Sequence, residues 1–193
     1  MKGAVAASPP GSPLTHRSSL IAAFVLGAVT VAGFAPLRLY PLPVFTLAAL
    51  FALWLRADAP WRAAAVGLAY GLGLFLVGTS WVYVSLHDFG SMPAPLAALA
   101  TLLFCAIMAC LPAAAGYTSV RFRTSTGLML GVVAPVAWTL AEWVRSWLFT
   151  GSPWLAAGYS QIPSSPLAGF SPVLGIYGVT LATAVTAGLL ALS

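Results

Sequence analysis

Apolar residues along this chain run in long blocks, and the polar positions fall between the blocks instead of alternating within them. Blocks of this kind read as helices whose surroundings are lipid. Six stand out, at 19–33, 44–55, 61–86, 95–117, 127–149 and 174–193, and they predict an all-α polytopic membrane bundle of about six transmembrane helices. Residues 1–17 form a polar, Pro- and Ser-containing tail, and 150–173 a long uncharged loop before the last helix. The first two blocks are short for a full span, so their helices must tilt little, thin the bilayer or sit partly inside the bundle. Pro41 and Pro43 open the second block and Pro93 and Pro95 the fourth, while Pro112 predicts a kink near the fourth helix's end. Ala63, Gly67 and Gly71 make a small-xxx-small stripe on the third helix, where backbones can approach closely.

Composition agrees with this pattern. At 61% apolar, 6% charged and a mean hydropathy of +0.98, the chain carries too few ionisable groups to cover a soluble fold. A net charge of +5 raises the question of nucleic acid, but the cations sit in ones and twos beside apolar blocks and form no patch with interleaved aromatics. With the N-terminal side taken as inside, Lys2, Arg17, Arg56, Arg62, Arg121 and Arg123 lie inside and only Arg38 outside, with Arg145 within a helix. That bias predicts a cytoplasmic N-terminus and places the loops around 81–93 and 151–172 together on the outer face. The first block leads into FAPLRLYP, which offers no A-x-A cleavage site, so it reads as a retained helix and not as a signal peptide.

Little here can carry chemistry. A serine protease reading of Thr150–Gly151–Ser152 needs a base, and the only histidines are His16 on the inner tail and His87 in the third helix's loop. Ser85, His87 and Asp88 are the right types for a triad, but chain neighbours rarely converge on one reacting atom. No metal-ligand spacing and no phosphate-cradling glycine loop is present, so no metal or cofactor is implied. Cys105 and Cys110 point roughly 140° apart on a helix and read as small buried hydrophobes. Glu142 and Arg145 share a helix face, and mutual pairing is the natural way to hold both charges in hydrocarbon. The pair either fastens helices or lines a polar cavity that meets a headgroup or an amine. Trp143, Trp147 and Trp154 fit an interfacial aromatic belt. A belt does not explain why a loop with Tyr159, Ser160 and Gln161 stays uncharged; a loop lying on the membrane face, or under a partner domain, does.

The strings GLGLFLVGTSWVYVSLHDFGSMPAP and APVAWTLAEWVRSWLFTGSPWLAAGYSQI, with GFAPLRLYPLP before them, resemble the membrane half of the apolipoprotein N-acyltransferase family of Gram-negative bacteria. The resemblance covers most of residues 20–193. It implies an inner-membrane enzyme that takes an acyl chain from a phospholipid and places it on the N-terminal diacylglyceryl-cysteine of an apolipoprotein. It further implies a thioester on a cysteine of a nitrilase-like domain, which nothing in residues 1–193 matches. The expectation is therefore an N-terminal fragment that lacks the catalytic domain and is inactive alone. Trp81, Tyr83, Glu142, Arg145, Trp154, Tyr159 and Gln161 are the candidate lipid- or substrate-contacting residues, and no catalytic residue is expected here. A non-enzymatic scaffold or transporter-like module is the other reading, although no internal repeat supports a transporter.

Overall fold

The computed structural model describes residues 13–193, and the described residues are helical without a strand. The expected tail therefore falls largely outside them, while Pro13–Arg17 already belong to the first helix. The main helices are α1 (Pro13–Thr30), α2 (Pro41–Arg56), α3 (Pro60–Gly78), α4 (Ala94–Arg121), α5 (Thr126–Arg145), the short α6 (Ala157–Gln161) and α7 (Ser171–Leu190). Helices long and apolar enough to cross a membrane are Pro60–Gly78, Ala94–Arg121, Thr126–Arg145 and Pro166–Leu190. The apolar helices Arg17–Gly33 and Pro41–Arg56 are shorter.

Proline shapes the helix starts. Pro41, Pro60 and Pro95 each stand in a first turn, where a missing N–H leaves no bond unmade. Pro135, inside α5, follows directly on a π-helical turn, Met129–Val133. A regular helix there would drive the proline ring into the carbonyl four residues back. Pro112, by contrast, lies inside α4 without interrupting it.

At the centre, α3 is pressed between α1 and α4. Its stripe of Ala63, Gly67 and Gly71 meets α4 as the spacing predicts: a Cβ on Gly67 would collide with the Pro112 carbonyl, and one on Gly71 would come within 2.8 Å of the Ala109 Cα. Beneath it the buried rings of Phe51, Trp54, Tyr70 and Trp138 form the core. Tyr70 meets Trp138 edge-on at 5.7 Å, and Trp54 lies 6.4 Å from Trp138. The Thr30 hydroxyl is 2.7 Å from both Thr46 Oγ1 and Tyr70 Oη, so α1, α2 and α3 share a polar knot whose members supply one another's partners. Large apolar side chains such as Ile21, Phe45, Leu102, Val136 and Leu189 point outward, the inverse of a soluble fold.

The expected continuous helix over 61–86 is broken. α3 ends at Gly78, Thr79 leaves helical geometry (φ −118°, ψ 21°), and a separate turn, Trp81–Val84, runs into a π-helical turn, Ser85–Phe89. The Thr79 hydroxyl donates to the Phe75 carbonyl at 2.7 Å and so satisfies one acceptor at the helix end. The expected loop of 150–173 is likewise structured: it contains α6 and a 3-10 turn, Pro166–Phe170, and α7 begins earlier than expected with a break at Gly175 (φ 63°).

The cationic loops share one end of the bundle. Arg123 Nη2 donates to the carbonyls of Trp54 at 3.1 Å and Ala57 at 2.7 Å, tying the α4–α5 loop to the end of α2. Arg62 pairs with Asp58 at 2.6 Å in the neighbouring turn.

Candidate functional site

Glu142 and Arg145 occupy the last turn of α5 and are 4% and 3% exposed. The sequence suggests that they pair with each other. They make no direct contact: the close carboxylate–cation contacts among the described residues are Arg62–Asp58 and, at 4.0 Å, His87–Asp88. The two side chains instead reach different parts of the loop that follows. Glu142 Oε1 accepts from Trp138 Nε1 at 3.0 Å and from the Ala157 amide at 2.9 Å. Its Oε2 accepts from Thr180 Oγ1 at 2.9 Å and from the same amide at 3.1 Å. Ala157 is the first residue of α6, so the carboxylate caps a helix start from fifteen residues away. The next amide, Gly158, donates to Thr180 Oγ1 at 3.0 Å, which completes the cap from α7.

Arg145 serves the other limb of the loop. Its Nη1 donates to the carbonyls of Ser152, at 2.9 Å, and Trp154, and its guanidinium lies 5.1 Å from the Phe75 ring centre. An amide donor suits a carboxylate and carbonyl acceptors suit a guanidinium, so each charge finds a better-directed partner in the loop than in the other. A cavity of about 10 Å³ adjoins both groups, between Leu74, Phe75, Pro112 and Trp138. That is at the lower limit for one water and leaves no room for a headgroup or amine.

So held, the loop folds back on the end of α3. Leu155, at φ 60°, packs into the notch at Gly78, where any Cβ would strike its side chain. Trp154 then meets Trp81 edge-on at 5.6 Å, and both rings stay half exposed, at 59% and 48%. Tyr83 is partly buried and lies 5.5 Å from the His87 ring. His87 Nδ1 donates to the Met92 carbonyl at 2.8 Å, which settles its role as a turn-holder. Tyr159 is exposed on α6. Gln161, expected on the same surface, is 1% exposed: its Nε2 donates to the Tyr40 carbonyl and to Ser160 Oγ, both at 2.8 Å, and pins α6 to the start of α2. Of the seven candidates, Trp81, Trp154, Tyr83 and Tyr159 present surface, while Glu142, Arg145 and Gln161 lie beneath and hold it. Thr180 escaped the sequence reading. It had no signal in a Gly-, Ala- and Thr-rich helix; Trp138, four residues before the glutamate, had one.

The cysteines divide. Cys105 is buried, as expected, 3.5 Å from Thr79 Oγ1, but Cys110 is exposed on the lipid-facing side of α4 and donates to the Ala106 carbonyl at 3.3 Å. Among the described residues no group of histidine, cysteine and carboxylate side chains could hold a metal ion.

A family model described as the apolipoprotein N-acyltransferase N-terminal domain matches residues 26–189. The apolipoprotein N-acyltransferase of Nitrosomonas europaea is 53% identical over 173 residues, which are 89% of this chain and 35% of the relative. Its counterpart in Chromobacterium violaceum is 43% identical over 181 residues, 94% of this chain and 35% of the relative, and that of Coxiella burnetii 43% identical over 173 residues, 87% and 35%. The chain thus spans about a third of the length of these relatives. By the extent of the domain match and the level of these identities, the chain belongs to the apolipoprotein N-acyltransferase family.

Proposed function

We propose that this chain is the membrane portion of an acyltransferase that moves a fatty acyl chain from a phospholipid to the N-terminal diacylglyceryl-cysteine of apolipoproteins. The observation that carries the reading is the outer end of the bundle, where two buried charges hold one loop against the helix ends. The product is an exposed aromatic ledge of Trp81 and Trp154, with Tyr159 exposed on the neighbouring α6. Half-exposed tryptophans at the level of headgroups give an acyl chain an apolar rest and a headgroup a polar edge. On this reading α1 and α2 cross the membrane with the four longer helices, the N-terminus is cytoplasmic and the membrane is the bacterial inner one. The nucleophile belongs to a nitrilase-like domain of the whole protein, because neither Cys105 nor Cys110 has a base beside it to make a thiolate.

A chimaera tests this directly. Residues 18–193 replace the matching part of the Nitrosomonas europaea relative, and the product is expressed in cells depleted of their own enzyme. Restored N-acylation of lipoproteins is expected, with a clear loss when Trp81 and Trp154 are both changed to Ala. A chimaera that accumulates in the membrane and acylates equally well with and without the two tryptophans removes the ledge from the mechanism. One that accumulates and acylates nothing removes the reading.

A further inference from the structure

Between α4 and α5 an open groove of about 620 Å³ runs along the lipid-facing surface. Leu111, Ala115, Thr118 and Phe122 form one wall, spaced four, three and four residues apart, and so lie on one stripe of α4. Val133 and Ala137 stand on the matching stripe of α5, and the small side chains Ala115 and Ala137 give the groove its depth. Thr118 is the one hydroxyl in the lining, and it already donates to the carbonyls of Ala114 and Ala115. The lining therefore has no free hydroxyl donor to offer an occupant.

The length of the groove narrows the choice. The eleven residue steps from Leu111 to Phe122 rise about 16 Å along the helix. Along α5 the lining runs from Val132 to Val144, about 18 Å, so on both walls the groove is shorter than a hydrocarbon core of about 30 Å. A transmembrane helix from a partner needs a face that runs the full thickness; an acyl chain from one leaflet needs this much. The mouth of the groove carries charge of the matching sign. Arg121 is exposed there, its guanidinium 5.9 Å from the Phe122 ring centre, and no carboxylate among the described residues meets it. Its neighbour Arg123 is engaged by the carbonyls at the end of α2 and is not available in the same way.

We infer that the groove holds one acyl chain of a phospholipid whose phosphate sits against Arg121, in the leaflet on the Arg121 side of the membrane. The Arg121 mouth lies at the opposite end of the bundle from the aromatic ledge, and the inference rests on these helices lying in a bilayer, not on acyl transfer. Cations between membrane helices at the headgroup level are the usual means of holding such a phosphate.

The test uses the chain in nanodiscs of phosphatidylglycerol and phosphatidylethanolamine, doped with a phospholipid that carries a photoactivatable diazirine in its acyl chain. After irradiation, adducts are mapped by peptide mass spectrometry. Adducts should concentrate on Leu111–Phe122 and Val132–Val144 and exceed those on Leu99, Leu102 and Leu103, which are exposed on another part of α4. Arg121→Gln, a change at an exposed helix end, should lower groove labelling about fivefold, the loss expected for one cation at the membrane surface. Filling the groove by Ala137→Phe should abolish it while labelling at Leu102 persists, which also reports that the variant is folded. Even labelling over all exposed apolar residues would overturn the inference. So would equal groove labelling by a diacylglycerol probe without phosphate, or chain-to-chain crosslinks through Val136→Cys in place of lipid adducts.

Discussion

Glu142 and Arg145 show how a charge becomes tolerable at the edge of hydrocarbon: every strong partner is a group that also has to be satisfied. The Ala157 amide, the Trp138 indole and the Thr180 hydroxyl need an acceptor, and the Ser152 and Trp154 carbonyls need a donor. Removing the carboxylate therefore strands three donors at once. Glu142→Leu should cost on the order of 3 kcal/mol or more, since a hydrogen bond to a charged group contributes about 1.5–3 kcal/mol. Limited proteolysis of the reconstituted protein should then cut between 151 and 165, where the parent chain resists. Thr180→Val, which removes one donor and one acceptor, should open the loop less. Replacing Glu142 and Arg145 together by apolar residues separates this account from a simple ion pair. A pair that only neutralises itself exchanges with little loss. Here the double replacement should loosen the loop at least as much as Glu142→Leu alone, and protection like that of the parent chain would refute the clasp.

Among the helices, the contact of α3 with α4 tolerates least change. Backbones meet there because Gly67 and Gly71 lack side chains, and van der Waals contact of this kind is what holds helices together where lipid competes with apolar side chains. Gly67→Leu should destabilise by about 3 kcal/mol or prevent accumulation, since the new side chain meets the fixed Pro112 carbonyl and not a movable group. Gly127→Ala meets nothing within 4 Å and should leave the unfolding midpoint in detergent within the about 0.5 kcal/mol of a neutral surface change. Equal midpoints for the two variants would show that the close approach is not what stabilises the bundle. This stripe was legible in the sequence because its cause is local: small residues four apart on an apolar helix. The break after Gly78 was not legible, because Leu155 fills the notch there from far along the chain. The helical content of 150–173 was hidden for the same reason, its cap coming from Glu142 and Thr180. The direct Glu142–Arg145 pair was the natural expectation from spacing alone, and it failed because spacing says nothing of the loop carbonyls and amides that outcompete it.

At the scale of the whole molecule, the chemistry of the two ends of the bundle differs, and this fixes a direction. One end gathers Arg56, Arg62, Arg121 and Arg123, with Arg123 binding the end of α2 to the loop before α5. The other gathers Trp81, Trp154, Tyr159 and the Gln161–Tyr40 tie, with Arg38 as its one loop cation. Six apolar blocks and the asymmetry of the cations were both readable without coordinates; which loops touch was not, since that depends on contacts between residues as distant as Tyr40 and Gln161. The positive-inside tendency predicts that the arginine end faces the cytoplasm. Ser91, Ser125 and Ser164 are suited to test this, because all three are exposed and a difference in labelling cannot be put down to burial. Each is changed to Cys in a background without Cys105 and Cys110, and intact cells with a permeable outer membrane are treated with a membrane-impermeant maleimide. Labelling is expected at Ser91→Cys and Ser164→Cys, and at Ser125→Cys only after the inner membrane is opened. Ala94–Arg121 and Thr126–Arg145 lie between Ser91 and Ser164, so agreement between these two with Ser125 on the other side also requires that both helices cross as alternating spans. Labelling of Ser125→Cys alone in intact cells would invert the orientation. It would also move the aromatic ledge to the cytoplasmic side, away from any lipoprotein that has been exported.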